Sequence, residues 1–540
     1  MSLNANSGAS ITFSGGLALS TGVNDAFVAT GGGTIVATQN NTTIINTLAT
    51  TFGAALRVAN TEIGAAGLTF RSISGGTTSY SNGVVISLDT TGVGAGNGGL
   101  TVVGDATASS GGVIRRKSGV DGLVTEGIGI YLNNTKSPAF HWMEISRHDN
   151  GGIVARNVAG FLLTNSRVVT SGTSAGEAPI VFGLPNPGGV NGLVTGTTAT
   201  ITNTQIEAGP QHNVAFYGQS GTLGLVINRT TPTPGDCLVA NNSPTVGGSG
   251  VHVLLEDTAQ ATVLIENCQI RDNRLASVAG LATGSAHLTM TITGSDIIRS
   301  AEGVVLTNAA DADITSTIQG NTLSGFSLSG IRLGQTSGNA SSTSIIRATI
   351  QNNNIDAPAT STAPAILGRF SSTAGQVSQA RLLIHANGAL VSGDPDFFTQ
   401  NATQPGVRIE TPDAGTSPRV DVTISSNHVD LNDENSPGAP GARNPLGIEL
   451  AATQGAMCGR VAGNLSHWYP TSVGVGGGIQ ALQSGAAVFE LERGSEALAT
   501  PAATVLQLNN ATHTAGASQT AVVGSLVVVE NGSCLLPSAP

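Results

Sequence analysis

ITNTQI (201–206), IENCQI (265–270), ITGSDI (292–297), IQGNTL (318–323), IQNNNI (350–355) and ISSNHV (424–429) are one phrase. It is an apolar residue, four residues with Asn or Gly among them, and a second apolar residue. A companion phrase, Gly-apolar-x-apolar, recurs beside it: GVHVLL at Gly250, GVVLT at Gly303, GIRLG at Gly330, GVRIE at Gly406 and GIELA at Gly447. Gly303 and Gly330 stand 27 positions apart, Ile292 and Ile318 26. A period in this range marks a solenoid of stacked units. Within a unit the apolar positions alternate, as in Val251/Val253 and Val263/Ile265. That is a strand period, and Val, Ile and Thr suit a pleated surface. No segment has capped helical spacing, so each unit is expected to carry two or three short strands and no helix. About 27 residues at roughly 3.3 Å per strand residue close one coil of a parallel β-helix, with successive coils pairing about 4.8 Å apart. The Asn of the closing phrase falls where the coil bends. Asn267, Asn321, Asn353 and Asn427 are therefore expected to stack as a ladder between neighbouring coils.

Composition agrees with a narrow interior lined by Val, Ile, Leu and Ala. The chain has 73 Gly in 540 residues, 10% charged and 4% aromatic residues. Its 39% apolar content, regularly spaced, argues against disorder. The net charge is −11, and Lys117 and Lys136 are the only lysines, which does not suit a nucleic-acid or anionic-membrane partner. The run Arg115-Arg116-Lys117 reads as a solvated turn. No run of 18 apolar residues offers a membrane span. The start lacks a signal-peptide pattern, and the chain reads as an internal piece of a longer protein.

Three zones are expected: irregular coils over 1–115, the regular solenoid over 116–430, and C-terminal coils with a cap over 431–540. Segments 171–191, 228–249, 388–405 and 432–446 read as loop insertions on one face. Cys237 and Cys268 are 31 positions apart, about one coil, which would bring them within bonding distance on adjacent rungs. Four small buried thiols is the other reading, and Cys458 and Cys534 bracket the C-terminal region. No Cys/His spacing suggests zinc, and no metal or cofactor is expected.

Acidic residues are sparse. Asp311 and Asp313 alternate on one side of a strand or turn and read as a solvated coil edge. Asp394 and Asp396 fall in a loop. FHWMEISRHD (140–149) is the densest chemistry: on one continuous strand Trp142 and Glu144 would share a face, where a sugar could stack beside the carboxylate. Trp142, Glu144, Asp311 and Asp313 are thus weak carbohydrate-contact candidates, and no catalytic residue is expected. A flat Thr array for ice or crystal binding is disfavoured, because the Thr runs do not read as repeated on successive coils.

GGGTIVAT (31–38), AALRVANTEIGAAGLTFRSIS (54–74), GGIVARNVAGFLLTNSRV (151–168), GVHVLLEDTAQATVLIENCQI (250–270) and IQGNTLSGF (318–326) resemble secreted bacterial β-strand repeat-containing proteins with pectate-lyase-like right-handed parallel β-helices. The resemblance covers most of 30–465. It implies the hand of the helix, export, and an extracellular or cell-surface place, often as a module of an adhesin-like protein. It supplies no catalytic motif. The expected function is a non-catalytic stalk presenting loops to glycans or another cell surface. The alternative is a carbohydrate-active enzyme, a polysaccharide lyase or glycoside hydrolase. That alternative requires a groove on a flat sheet face, lined by three or more charged groups from successive coils.

Overall fold

A computed structural model describes residues 1–40, 42–123, 125–231, 236–335, 343–356, 361–371, 377–388, 404–412, 418–430, 447–467, 478–510 and 520–537. It shows how the closing phrase makes a corner. In IQNNNI, Ile350 points into the core from one sheet, and Gln351 points out. Asn352 takes φ +54°, Asn353 turns in, Asn354 points out, and Ile355 is the first core residue of the next sheet. One left-handed residue therefore breaks the two-residue alternation and puts both apolar ends of the phrase inside. Asn165, Asn203, Asn267, Gly294, Gly320, Ser426 and Gly463 hold the same left-handed position in their coils. Gly and Asn are the residues that tolerate it best.

The chain divides into two compact units, Met1–Arg274 and Leu275–Pro540. Among the described residues the first unit stacks nine coils of three strands, and the strands of successive coils pair in parallel. Its first sheet carries inward columns such as Ile86–Ile130–Ile153–Ile180–Val214–Val251. The second ends in Leu163–Ile201–Ile227–Ile265 and the third in Val168–Ile206–Val239–Ile270. The second unit repeats the plan, with Ile292–Ile318–Ile350–Ile384–Ile424–Val461 as the matching column of its second sheet. The fold class is all-β, a right-handed parallel β-helix solenoid.

Two stretches read as insertions hold core strands. Ala178–Phe182 lies in the first sheet between Gly151–Arg156 and Val214–Gly218, and Leu238–Ala240 lies in the third. Both are buried at every position, so neither has an alternation to read. Segments 389–403 and 431–446, with Asp394 and Asp396, lie outside the described residues. A helix, Ala502–Asn509, departs from the all-strand expectation. It follows Pro501 and buries Ala502, Val505 and Leu506, an i, i+3, i+4 stripe.

The inward corner position carries a ladder. In the second unit it is Asn321, Asn353, Asn387, Asn427, Asn464 and Asn510. Each of the first five donates Nδ2 to the Oδ1 of the next at 2.9–3.1 Å, and its backbone N–H bonds the same oxygen at 3.0–3.1 Å. The first unit fills the position with Ser166, Thr204, Cys237 and Cys268. Asn267 is the left-handed residue before this position, not a ladder member. Cys237 and Cys268, on adjacent coils, form a disulfide with Cα atoms 4.9 Å apart. A second disulfide joins Cys458 to Cys534, Cα atoms 5.2 Å apart. There the tail turns back beyond Val527–Val529, and the N–H groups of Gly532 and Cys534 both donate to Glu492 Oε1 at 2.8 Å.

A candidate binding cavity on the first sheet

The outward positions of the first sheet are also columns. In the first unit Arg57, Ser87 and Tyr131 stand in register on the strands Leu56–Ala59, Val84–Gly92 and Ile128–Thr135, with Ala59, Asp89 and Asn133 as the next column. Rungs about 4.8 Å apart and alternate residues about 6.6 Å apart give a small lattice of side chains. Over it lies a cavity of about 470 Å³. Its walls are Val23 and Asp25, Phe52 to Ala54, Asn82 to Val84, and Thr125.

Buried polar side chains pin these walls. The Lys117 ammonium donates to Phe52 O, Gly53 O, Asn82 O and Ser81 Oγ at 2.5 to 3.4 Å, tying the turns of successive coils together. Lys117 is thus a buried clamp, not part of a solvated turn; its aliphatic stem lies in the interior. Burial pushes its ammonium below the usual lysine range, and Asp25 opposes the shift. Asn150 donates to Val120 O, Leu123 O and Glu126 O at 2.8–2.9 Å, holding the loop that carries Thr125. Behind the floor Asn133 Nδ2 donates to Asp89 Oδ1 at 2.8 Å. Burial raises the Tyr131 phenol, with neighbouring Arg156 opposing.

Beyond Tyr131 the column becomes an apolar seam of Val154, Val181 and Ala215, with Tyr217 beside it. Further along, the His212 and His252 rings stack with centroids 4.1 Å apart. Burial lowers these imidazoles to about 3 and about 4 respectively. It raises Tyr217 to about 12, with Glu256 adding to the shift.

The residues singled out from sequence are not gathered here. Trp142 is itself a left-handed corner, φ +57°, between the strands Ala139–His141 and Met143–Ser146. The expected continuous strand is broken there, so Trp142 and Glu144 do not share an alternating face. Glu144 accepts from Ser109 Oγ at 3.0 Å. Asp311 lies in an exposed turn, whereas Asp313 begins a strand and faces His287 at 3.5 Å and Arg347 at 4.0 Å. Thr does recur in register: Thr289 on Thr315, and Thr291 on Thr317 and Thr349. Arg347, however, takes the place beyond Thr315 and interrupts the array.

A charged row lies on the outward face of the first sheet in the second unit. Arg332 pairs with Glu302 at 3.0 Å. Arg408 lies 2.8 Å from Glu410 and 3.4 Å from Glu449, and Arg369 is 3.6 Å from Glu410. Burial pushes the Glu449 carboxyl up; Arg408 opposes and Glu410 adds. Among the described residues no cluster of His, Cys, Asp and Glu could hold a metal, and no helix is long and apolar enough to cross a membrane. Comparison with protein-family models, curated proteins and solved structures finds no match for this chain.

Proposed function

We propose that the chain is a non-catalytic recognition module that meets an extracellular polymer or surface through the walled cavity of its first unit. The observation that carries this is the cavity's construction. Polar groups from successive coils converge on its floor, and its walls are fixed by buried Lys117 and Asn150. Preformed concavities of ~300–1,000 Å³ with a few placed polar groups are where small ligands bind. Two disulfides suit an oxidising compartment, in keeping with the resemblance to secreted, adhesin-like bacterial proteins. Contacts of this kind gain strength from many copies on one surface. The test is retention of extracellular polysaccharides on immobilised chain against an Ala59→Trp variant, whose indole fills the cavity. Retention lost in the variant supports the reading, and equal retention overturns it.

One observation favours a second reading, a carbohydrate-active enzyme. Arg332, Arg369, Arg408, Glu410 and Glu449 come from successive coils of one face, where Glu449 stands 3.4 Å from Arg408 and burial raises its carboxyl. Turnover of pectin, alginate or chondroitin, abolished by Glu449→Gln but not by Glu144→Gln or Asp313→Asn, would establish it.

A further inference from the structure

We infer that the cavity receives one uncharged hexopyranose unit of a glycan chain; this rests on the reading of the cavity as the contact site. Charge decides first. Asp25 and Asp89 face it, with Arg57 on the floor and the Lys117 ammonium behind the wall, so its formal charges balance on a chain of net charge −11. A balanced site gives a uronate or sulfated sugar no net local attraction, and the chain's overall negative charge repels it. The exposed Arg57 guanidinium in turn disfavours a cationic amino sugar.

Polarity decides next. The strands beneath the floor pair their backbones with the coils on either side, so no sheet edge is open to an extended peptide. Side chains face the ligand, with backbone at Gly53 and Gly83 of the wall. They mix acceptors (Asp25, Asp89), a donor (Arg57) and a hydroxyl that does both (Ser87), which is what a ring of hydroxyls needs. Ala59 leaves room on the floor beside Asp89. The apolar C–H face of a pyranose has Tyr131 on the floor and Phe52 at the rim to lie against.

The experiment is calorimetric titration of the full chain with tetrasaccharides of glucose, galactose and mannose, and with tetragalacturonate. At least one neutral tetrasaccharide is expected to bind. Its affinity should fall about tenfold or more in Asp89→Ala and in Ser87→Ala, as loss of charged or paired hydrogen bonds implies. Thermal melting of each variant reports whether it folds, and Ser87→Ala changes only a small outward hydroxyl. Tetragalacturonate binding more tightly than every neutral probe overturns the inference. So does unchanged affinity in both variants. Polymer retention that Ala59→Trp abolishes, with no neutral tetrasaccharide bound, overturns the sugar assignment and leaves the contact site standing. Retention unaffected by Ala59→Trp overturns both.

Discussion

Replacing Asn353 with Ala tests the corner ladder most directly. Its side chain makes four hydrogen bonds. Oδ1 accepts from Asn321 N and Asn321 Nδ2, both at 3.0 Å, and Nδ2 donates to Ile318 O at 2.8 Å and Asn387 Oδ1 at 2.9 Å. Asn353 is 1% exposed, so water does not replace these partners. The variant leaves the Asn321 N–H and Ile318 O unpaired inside the coil. At about 1 kcal/mol net per bond the loss is about 4 kcal/mol. That lowers the melting temperature of the second unit by about 8–12 °C. Asn353→Asp should be as damaging, because it turns an acceptor toward Ile318 O and Asn387 Oδ1. The contrast is Asn352→Gly, one residue earlier at φ +54°, which should melt within about 2 °C of the parent because Gly accepts that conformation freely. The assay is calorimetric unfolding of all three variants. An unchanged melting temperature for Asn353→Ala would refute the ladder's energetic role, and equal losses for Asn352→Gly and Asn353→Ala would refute the division of labour between the two positions.

Three more outcomes are expected. Acid should destabilise the first unit. His148 is fully buried and sits between the Lys117 N–H, bonded to Nδ1, and Ile114 O, and burial holds its imidazole down to about 3. The unfolded chain takes up the proton near pH 6.5 and the folded one does not. Its stability is therefore full above pH 6.5 and lost as pH falls, by about 3 kcal/mol at pH 4; a first-unit melting temperature flat from pH 7 to 4 would refute this. Lys117→Met should cost about 3 kcal/mol or more by orphaning the carbonyls of Phe52 and Asn82, and should loosen the cavity wall, read as faster amide exchange at Gly53 and Gly83. Because Cys237 and Cys268 occupy inward corner positions, the double variant Cys237→Asn/Cys268→Asn should melt above Cys237→Ala/Cys268→Ala in chemical denaturation; the reverse order would show that the first unit's corner cannot hold amides.

The corner was the most legible feature, because the chain writes it contiguously. IQNNNI holds two core residues, a left-handed residue and a ladder residue within six positions. Asn267 shows the limit of that legibility. It and Asn353 look alike in the phrase, yet one position apart in the corner the side chain goes from outside to inside the coil. The strand Ala178–Phe182 was missed for a different reason: covered on both faces, it has no alternation. Lys117 looked solvated because its neighbours are arginines; only the turns of Phe52 and Asn82, brought over from other coils, bury it.

The cavity was illegible for a reason particular to solenoids. Arg57, Ser87 and Tyr131 are separated by 30 and 44 positions, one residue per coil, so no local motif contains two of them. Adjacent carboxylates on one strand point to alternate faces. In a β-helix a shared face is assembled along the stack, from the same position of successive repeats. The opening phrase carries this information. The x of Gly-apolar-x-apolar is the outward residue of the first sheet: Arg332 after Gly330, Arg408 after Gly406, Glu449 after Gly447. Read down the repeats instead of along the chain, Arg408 and Glu449 stand side by side in the charged row, with Leu367 between them and Arg332. In the first unit the coils are too irregular in length for the same reading, and there only the register of the folded chain brings Arg57, Ser87 and Tyr131 under one cavity.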